Sequence, residues 1–475
     1  MSYLQDTAYN ASAAIVISIG RLVGMALIAR ALGVEAFGVL AIAGFCVEIV
    51  SRMSLFGLGG VTSRFLTLLK DEERPRWQRI QRIWITLSLV TAVIATGITG
   101  AFYLEFDIST LVILLFWSLI IVGRSVAEAA THGRFRFDLK LWAGCLEASV
   151  MVLGGLFFVQ AEDVNSALAV IVTSTLGYFL VLLLGVKREG RSALPSAQRP
   201  GLPPLREILL YAANLWVIAI CSILVWSRGE LTIGKELLSA EALGHYGAAL
   251  TLLSMVWYML AMFESANTPH LSKRANDAAS HDQFVRTMTR LTVTISTTVA
   301  IFLAALGGQI IVLVYGEPFR PAGDVLTVLA PAYAAGGMLL PVLAIQLLSN
   351  GRFNRIMLAM AAVGLLALAW TLTPAFGITG IALARTAVFV CIAMAVAVWL
   401  IAFRDRGLGL AVLGELCLAL GLTSCVSVFT VFLEPSVSVR AALCIGLCYL
   451  LWVRATGAYQ PIAMTRSGLN QLRGL

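Results

Sequence analysis

Charged residues are scarce in this chain. Asp, Glu, Lys and Arg make up 13% of its 475 residues, against about 25% in a soluble domain. Too few polar groups remain to cover a water-facing surface, which excludes a soluble enzyme, a secreted module and a disordered chain. Histidine is scarcer still: His132, His245, His270 and His281 are scattered over predicted segment ends and loops. None of the eight cysteines forms a C-x-x-C motif or lies near a histidine at ligand spacing. No metal site and no cofactor is expected, and the cysteines read as small hydrophobes within the membrane. The opening residues MSYLQDTAYN lack the basic stretch of a cleavable leader, so the first helix is expected to stay as an anchor. No long loop is predicted on the outer side, which leaves no room there for a catalytic domain. No catalytic residues are assigned.

Hydrophobic residues are abundant. They account for 59% of the chain, and mean hydropathy is +0.89. A membrane-spanning helix needs about 20 mostly apolar residues. Fourteen apolar segments meet or approach that length, at roughly 9–29, 37–66, 81–103, 109–130, 141–160, 165–186, 207–227, 242–267, 288–314, 323–349, 355–374, 378–402, 408–432 and 438–455. The predicted fold class is an all-α polytopic membrane protein. The net charge of +8 suggests no nucleic acid, because excess Lys and Arg in a membrane protein belong to its cytoplasmic loops. With the N-terminus inside, twenty-five of the 34 bases fall on the inner side, five on the outer side and four within segments. Both termini are then predicted to be cytoplasmic. Trp77, Trp84, Trp142 and Trp226 fall near predicted interfaces, as an anchoring belt would.

Two short repeats divide the chain. The outer turn after segment 1 reads L-G-V-E-A-F-G (Leu32–Gly38), and the one after segment 7 reads L-S-A-E-A-L-G (Leu238–Gly244). G-R-F recurs at Gly133–Phe135 and Gly351–Phe353, after segments 4 and 10. Both matches are six segments apart. An even offset makes the halves parallel, related by an axis along the membrane normal. The expected organisation is an N-terminal lobe over 1–190, a cytoplasmic linker over 191–206 and a C-terminal lobe over 207–403. Two further helices and a cytoplasmic tail fill 404–475.

The stretches Ala29–Gly38, Val314–Ala322 (V-Y-G-E-P-F-R-P-A), Leu348–Phe353 and Ala375–Ala384 (A-F-G-I-T-G-I-A-L-A) carry a resemblance over nearly the whole chain. It resembles the polysaccharide-type, Wzx-like flippases of the multidrug/oligosaccharidyl-lipid/polysaccharide exporter superfamily. The resemblance implies two six-helix lobes around a central cavity, in a bacterial inner membrane. It implies a lipid-linked oligosaccharide on polyprenyl diphosphate as substrate, carried by alternating access. Membrane lipids, a polysaccharide polymerase and assembly proteins are the implied partners.

Ionisable groups inside a membrane are costly, about 2.5–3.5 kcal/mol for a central arginine, so they mark candidate sites. Arg21, in the setting G-R-L-V-G, lies near the middle of segment 1. It is either one half of an ion pair between helices or a cavity-lining cation. The resemblance favours the second, since lipid II flippases carry an arginine in a similar R-x-x-G setting on their first helix. Glu48 and Arg52, four apart on segment 2, either neutralise each other or bind and release substrate. Arg124 and Glu128 form a second such pair, read as structural. Lipid II flippases also carry a base on helix 8. Segment 8 here has only Glu264, before N-T-P at Asn267–Pro269, which argues against lipid II itself. Arg228 and Arg385 are candidates for the second lobe's charge. Glu264 and Pro269 are expected to serve coupling or gating. The Gly57–Gly60 run and Pro331 and Pro341 on segment 10 are candidate bends. Two alternatives to a flippase are weighed: a multidrug-type exporter, which would favour an acidic cavity, and a membrane polymerase or ligase, which would need an outer catalytic loop.

Overall fold

The computed structural model describes residues 3–100, 106–134, 136–186, 201–254, 257, 278–338, 352–403, 406–432, 445–446 and 449. Nearly all of these are helical, and none is in a strand. In hydrocarbon each backbone N–H and C=O must find its partner within the chain, and a helix achieves this segment by segment. Eleven helices among the described residues are long and apolar enough to cross a membrane. The protein is an all-helical polytopic membrane protein.

Packing divides the chain into two compact units, Met1–Gly247 and Ala248–Leu475. The first holds α1 (Tyr3–Leu32), α2 (Val34–Ser54), α3 (Leu58–Leu68), α4 (Arg74–Ile98), α5 (Ile108–Gly133), α6 (Phe137–Phe157), α7 (Val164–Val186), α8 (Leu205–Ser222) and α9 (Leu231–Leu237). The start of α10, described over 240–254, also belongs to it. The second unit holds α11 (Ala278–Tyr315), α12 (Ala322–Ala335), α13 (Arg352–Phe376), α14 (Ile378–Phe403) and α15 (Arg406–Phe432).

Segment 2 is broken where its glycines fall. Helix α2 stops at Ser54, Phe56 and Gly57 take positive φ of 45° and 76°, and α3 begins at Leu58. Helix α8 lies against the break. A side chain at Gly57 would strike the Ala212 carbonyl, so glycine is required there both by φ and by space. The Trp216 indole N–H donates to the Met53 carbonyl at 2.7 Å, supplying a partner that the interrupted helix cannot. Leu58, Val61 and Phe65 of α3, Trp77 and Trp84 of α4, and Ile208 and Ala212 of α8 form one buried cluster. The backbone N–H of Leu202 donates to both carboxylate oxygens of Glu73, at 3.1 and 3.0 Å. This explains why α8, expected to open the second lobe, packs with the first unit.

One sequence expectation changes here. Trp77 is 1% exposed and Trp84 is buried, so both are core anchors for α3 and α8 rather than interfacial ones; Trp142, at 68% exposure, fits a belt. The outward face of α4 is instead an apolar stripe, Ile83, Leu87, Val90, Ile94 and Ile98, spaced three or four apart as a lipid-facing surface requires. Among the cysteines, Cys46 is buried, while Cys391, Cys417 and Cys425 are exposed on helices of the second unit.

In the second unit, α12 carries Pro331 inside the helix and is fastened around it by its neighbours. Proline has no N–H for the carbonyl four residues back, which is that of Thr327. The Ser427 hydroxyl of α15 donates to that carbonyl at 3.0 Å. Thr386 of α14 donates to the Val328 carbonyl at 2.9 Å, and Ser296 of α11 to that of Ala334 at 3.1 Å. Past Ala335 the helix tightens into a 3₁₀ turn, Gly336–Met338, whose Gly337 carbonyl accepts from Thr292 at 2.9 Å. Neighbouring helices thus donate to backbone carbonyls around and beyond the proline. Pro341, Pro269 and Glu264, most of the 191–206 linker, and nearly all of segment 14 and the tail lie outside the described residues.

Candidate functional site: a shared carboxylate among α1, α5 and α6

Arg21, Arg124 and Glu147 come from three helices and meet near the middle of each. The Arg21 guanidinium donates to Glu147 Oε1 through Nη2 at 2.8 Å and Nε at 3.2 Å. Arg124 Nη1 donates to the same oxygen at 2.9 Å. The Glu147 side chain is 2% exposed, whereas that of Arg21 is 39% exposed. Burial of an ionised carboxylate is tolerated only where it is paired, and here two guanidiniums converge on it. The second oxygen, Oε2, is buried with no hydrogen-bond partner.

Small residues bring the helices close enough for this to happen. A side-chain carbon at Gly20 would strike Ala148, and one at Gly24 would lie 2.9 Å from the Met151 Cβ. Helices α1 and α6 therefore approach backbone to backbone, one residue from Arg21 on one side and from Glu147 on the other. Behind the cluster, the Arg124 guanidinium sits 3.8 Å from the centroid of the Tyr178 ring on α7. The Tyr178 hydroxyl donates to Glu128 at 3.3 Å. Glu128 in turn faces Lys140 Nζ at 3.4 Å, and Lys140 donates to the Asn10 side chain at 3.1 Å. The ring face stabilises the cation through its quadrupole, so Arg124 is held from two sides.

Arg124 therefore pairs across helices with Glu147. The local i,i+4 partner read from sequence, Glu128, is taken by Lys140 and Tyr178. Glu48 and Arg52 behave in the same way. Glu48 accepts from the Ser227 hydroxyl at 2.9 Å, and Arg52 is exposed with no ion pair to it among the described residues. Ser227 and the half-buried Arg228 lie in a π-helical turn, Ile223–Arg228, that follows α8. That wider turn presents Ser227 to α2. In the second unit, Arg385 of α14 is buried and lies 5.0 Å from the Phe389 ring centroid. Arg290 of α11 donates to Glu415 of α15 at 2.8 Å.

Sequence reasoning placed Arg21 at mid-membrane and counted Glu147 among the intramembrane charges that mark candidate sites, but gave Glu147 no partner and did not single out Tyr178. A lone acid in the centre of segment 5 was the available signal. Its partners lie 126 and 23 residues away, beyond any local spacing. Among the described residues, no three His, Cys, Asp or Glu side chains gather as a metal site would require.

Comparison with known proteins adds the following. A family model described as polysaccharide biosynthesis protein matches residues 27–324, more than half of the chain. A search of curated sequences finds no match. Solved structures do match. The lipid II flippase MurJ, in an inward closed conformation, is similar at a TM-score of 0.64 and 12% identity, over 94% of this chain and 99% of that one. An inward-facing multidrug resistance MATE family transporter of the MOP superfamily is similar at 0.57 and 12%, over 86% and 99%. A Vibrio cholerae MATE transporter is similar at 0.57 and 11%, over 86% and 97%. At these identities the likeness establishes the fold.

Proposed function

The chain belongs to the polysaccharide biosynthesis protein family, and on that premise we propose that it is a flippase for a polyprenyl-diphosphate-linked oligosaccharide repeat unit. The observation that carries this reading is the convergence of Arg21 and Arg124 on Glu147 within membrane-length helices. A diphosphate headgroup must cross a layer of low dielectric, and guanidiniums offer it paired N–H donors that are strong where water is scarce. The prenyl tail stays in lipid while the headgroup moves. The fold shared with a lipid II flippase supports the same reading.

On this proposal Arg21 and Arg124 are headgroup ligands. Arg52, exposed on α2, and Arg228 and Arg385 contribute positive charge along the route, and Glu48 modulates it. The cycle is alternating access in a bacterial inner membrane, with both termini cytoplasmic. Coupling falls to Glu264, and bending to Pro269, Pro331 and Pro341. The product passes to a polysaccharide polymerase and its assembly proteins. No bond is made or broken.

Reconstitution tests the reading. Proteoliposomes loaded with a fluorescent lipid-linked oligosaccharide are expected to expose it to an impermeant quencher in a protein-dependent manner, with the substrate chemically unchanged. A lengthened glycan would instead identify a polymerase or ligase, and no translocation would sink the proposal. A multidrug-type exporter is the second reading, favoured by the two MATE-family structures. It asks for an acid open to cationic drugs, whereas Glu147 is already held by two arginines.

A further inference from the structure

We propose that Glu147 is an internal competitor of the anionic substrate: it holds Arg21 and Arg124 when the site is empty, yields them to the incoming diphosphate, and reclaims them to expel it. This rests on the diphosphate reading above and adds to it a residue for release.

The geometry motivates an exchange. Arg21 Nε and Nη2 and Arg124 Nη1 all donate to one oxygen of Glu147, while Oε2 has no partner. A carboxylate that served only to pin three helices would gain by presenting both oxygens in a fork to one guanidinium. Here a single oxygen is shared by two guanidiniums and the other is left without a partner. The two arginines also differ in exposure. Arg124 is 13% exposed and backed by the Tyr178 ring, so it stays in place. Arg21, at 39% side-chain exposure, is the more open of the pair and the more accessible to a ligand.

The exchange also answers a physical requirement of transport. A ligand must be bound strongly enough to enter and weakly enough to leave. Two guanidiniums facing a diphosphate in low dielectric would bind it too well to let it go. A resident carboxylate lowers that affinity by offering the same donors an alternative acceptor of like charge. Glu147 is therefore a positioning residue that acts through the arginines.

The test uses the purified full-length protein in lipid nanodiscs, with farnesyl diphosphate as probe and translocation in proteoliposomes as the second readout. Glu147→Gln keeps the shape and removes the charge. It is expected to bind farnesyl diphosphate about tenfold more tightly while translocation slows by a similar factor. Arg21→Ala and Arg124→Ala are each expected to weaken binding by about tenfold. Farnesol, which lacks the diphosphate, is expected to show no such differences. Unchanged or weaker binding by a folded Glu147→Gln protein overturns the competitor role alone. If wild type and Arg21→Ala bind the probe equally, or neither binds, the diphosphate reading itself fails. Melting temperature is followed throughout. Should Glu147→Gln not fold, Glu147→Asp draws the carboxylate back from both guanidiniums; about threefold tighter binding supports the role, and wild-type affinity overturns it.

Discussion

Gly38 of α2 and Gly244 of α10 pack against each other, and the contact is reciprocal. A side-chain carbon at Gly38 would strike the Ala240 carbonyl and lie 2.8 Å from the Gly244 nitrogen. One at Gly244 would strike the Val34 carbonyl. Val34 and Gly38 correspond to Ala240 and Gly244 in the two repeated motifs. One turn on, Gly247 would place its added carbon 3.0 Å from the Ala41 Cβ, and these two also correspond. Matching residues meet matching residues, as they do across a two-fold axis. Corresponding positions of the two short sequence motifs thus meet at one close crossing of α2 and α10, made by glycine and alanine.

Gly38→Val or Gly244→Val is expected to force two backbones apart. Overpacking costs on the order of 1–3 kcal/mol, and a backbone neighbour yields less than a side chain. Each variant should show a lowered melting temperature in detergent. In a cysteine-free background, the pair Ala41→Cys and Gly247→Cys should form a disulfide on oxidation, since the carbons lie close to disulfide spacing. If this crossing must open during transport, export should stop on oxidation and return with reductant. Export that continues in the cross-linked protein would show that the crossing stays closed throughout the cycle.

Arg21 is expected to matter far more than a loop arginine such as Arg188. At equal membrane abundance, Arg21→Ala should lower polysaccharide export by about tenfold, the scale of a lost charge-assisted hydrogen bond. Arg21→Lys should restore part of it, because the charge remains and the paired donors do not. Wild-type export from both variants would remove Arg21 from the substrate path.

The helix around Pro331 is expected to depend on Ser427. Losing the hydroxyl in Ser427→Ala leaves the Thr327 carbonyl without this donor, at a cost of about 0.6–1 kcal/mol in a membrane protein. Pro331→Ala restores an N–H four residues along, so Ser427→Ala should cost less in that background. A double-mutant cycle on thermal stability measures the coupling. Equal costs in both backgrounds would show that Ser427 does not compensate for the proline.

Orientation is tested by labelling. A cysteine placed at Ser196, in the predicted inner linker, should resist an impermeant thiol reagent in intact cells and react after the membrane is opened. Labelling from outside would invert the predicted topology.

Glu264 is expected to couple transport to an ion or to gating. Glu264→Gln should lower transport and flatten its pH dependence, followed as export rate between pH 6 and 8. Full activity with an unchanged profile would exclude it.

The amino-acid sequence by itself determined the class of this protein. A chain with 59% hydrophobic residues and 13% charged ones has only lipid to face, and lipid admits only structures that satisfy their own backbone. Helix periodicity and glycine placement were likewise legible. The break at Gly57 and the repeat at Gly38 and Gly244 fall where the sequence marks them, because glycine acts on its own backbone.

Ion pairing was not legible. Glu48 with Arg52, and Arg124 with Glu128, are spaced as partners on one helix, yet Glu48 takes Ser227 and Arg124 takes Glu147. Spacing states only which side chains share a face. The neighbour that covers that face is set by helix packing, which brings an opposite charge to Arg124 and a hydroxyl donor to Glu48. Only the tertiary structure brought α1, α5 and α6 together around Glu147, through close approaches at Gly20 and Gly24.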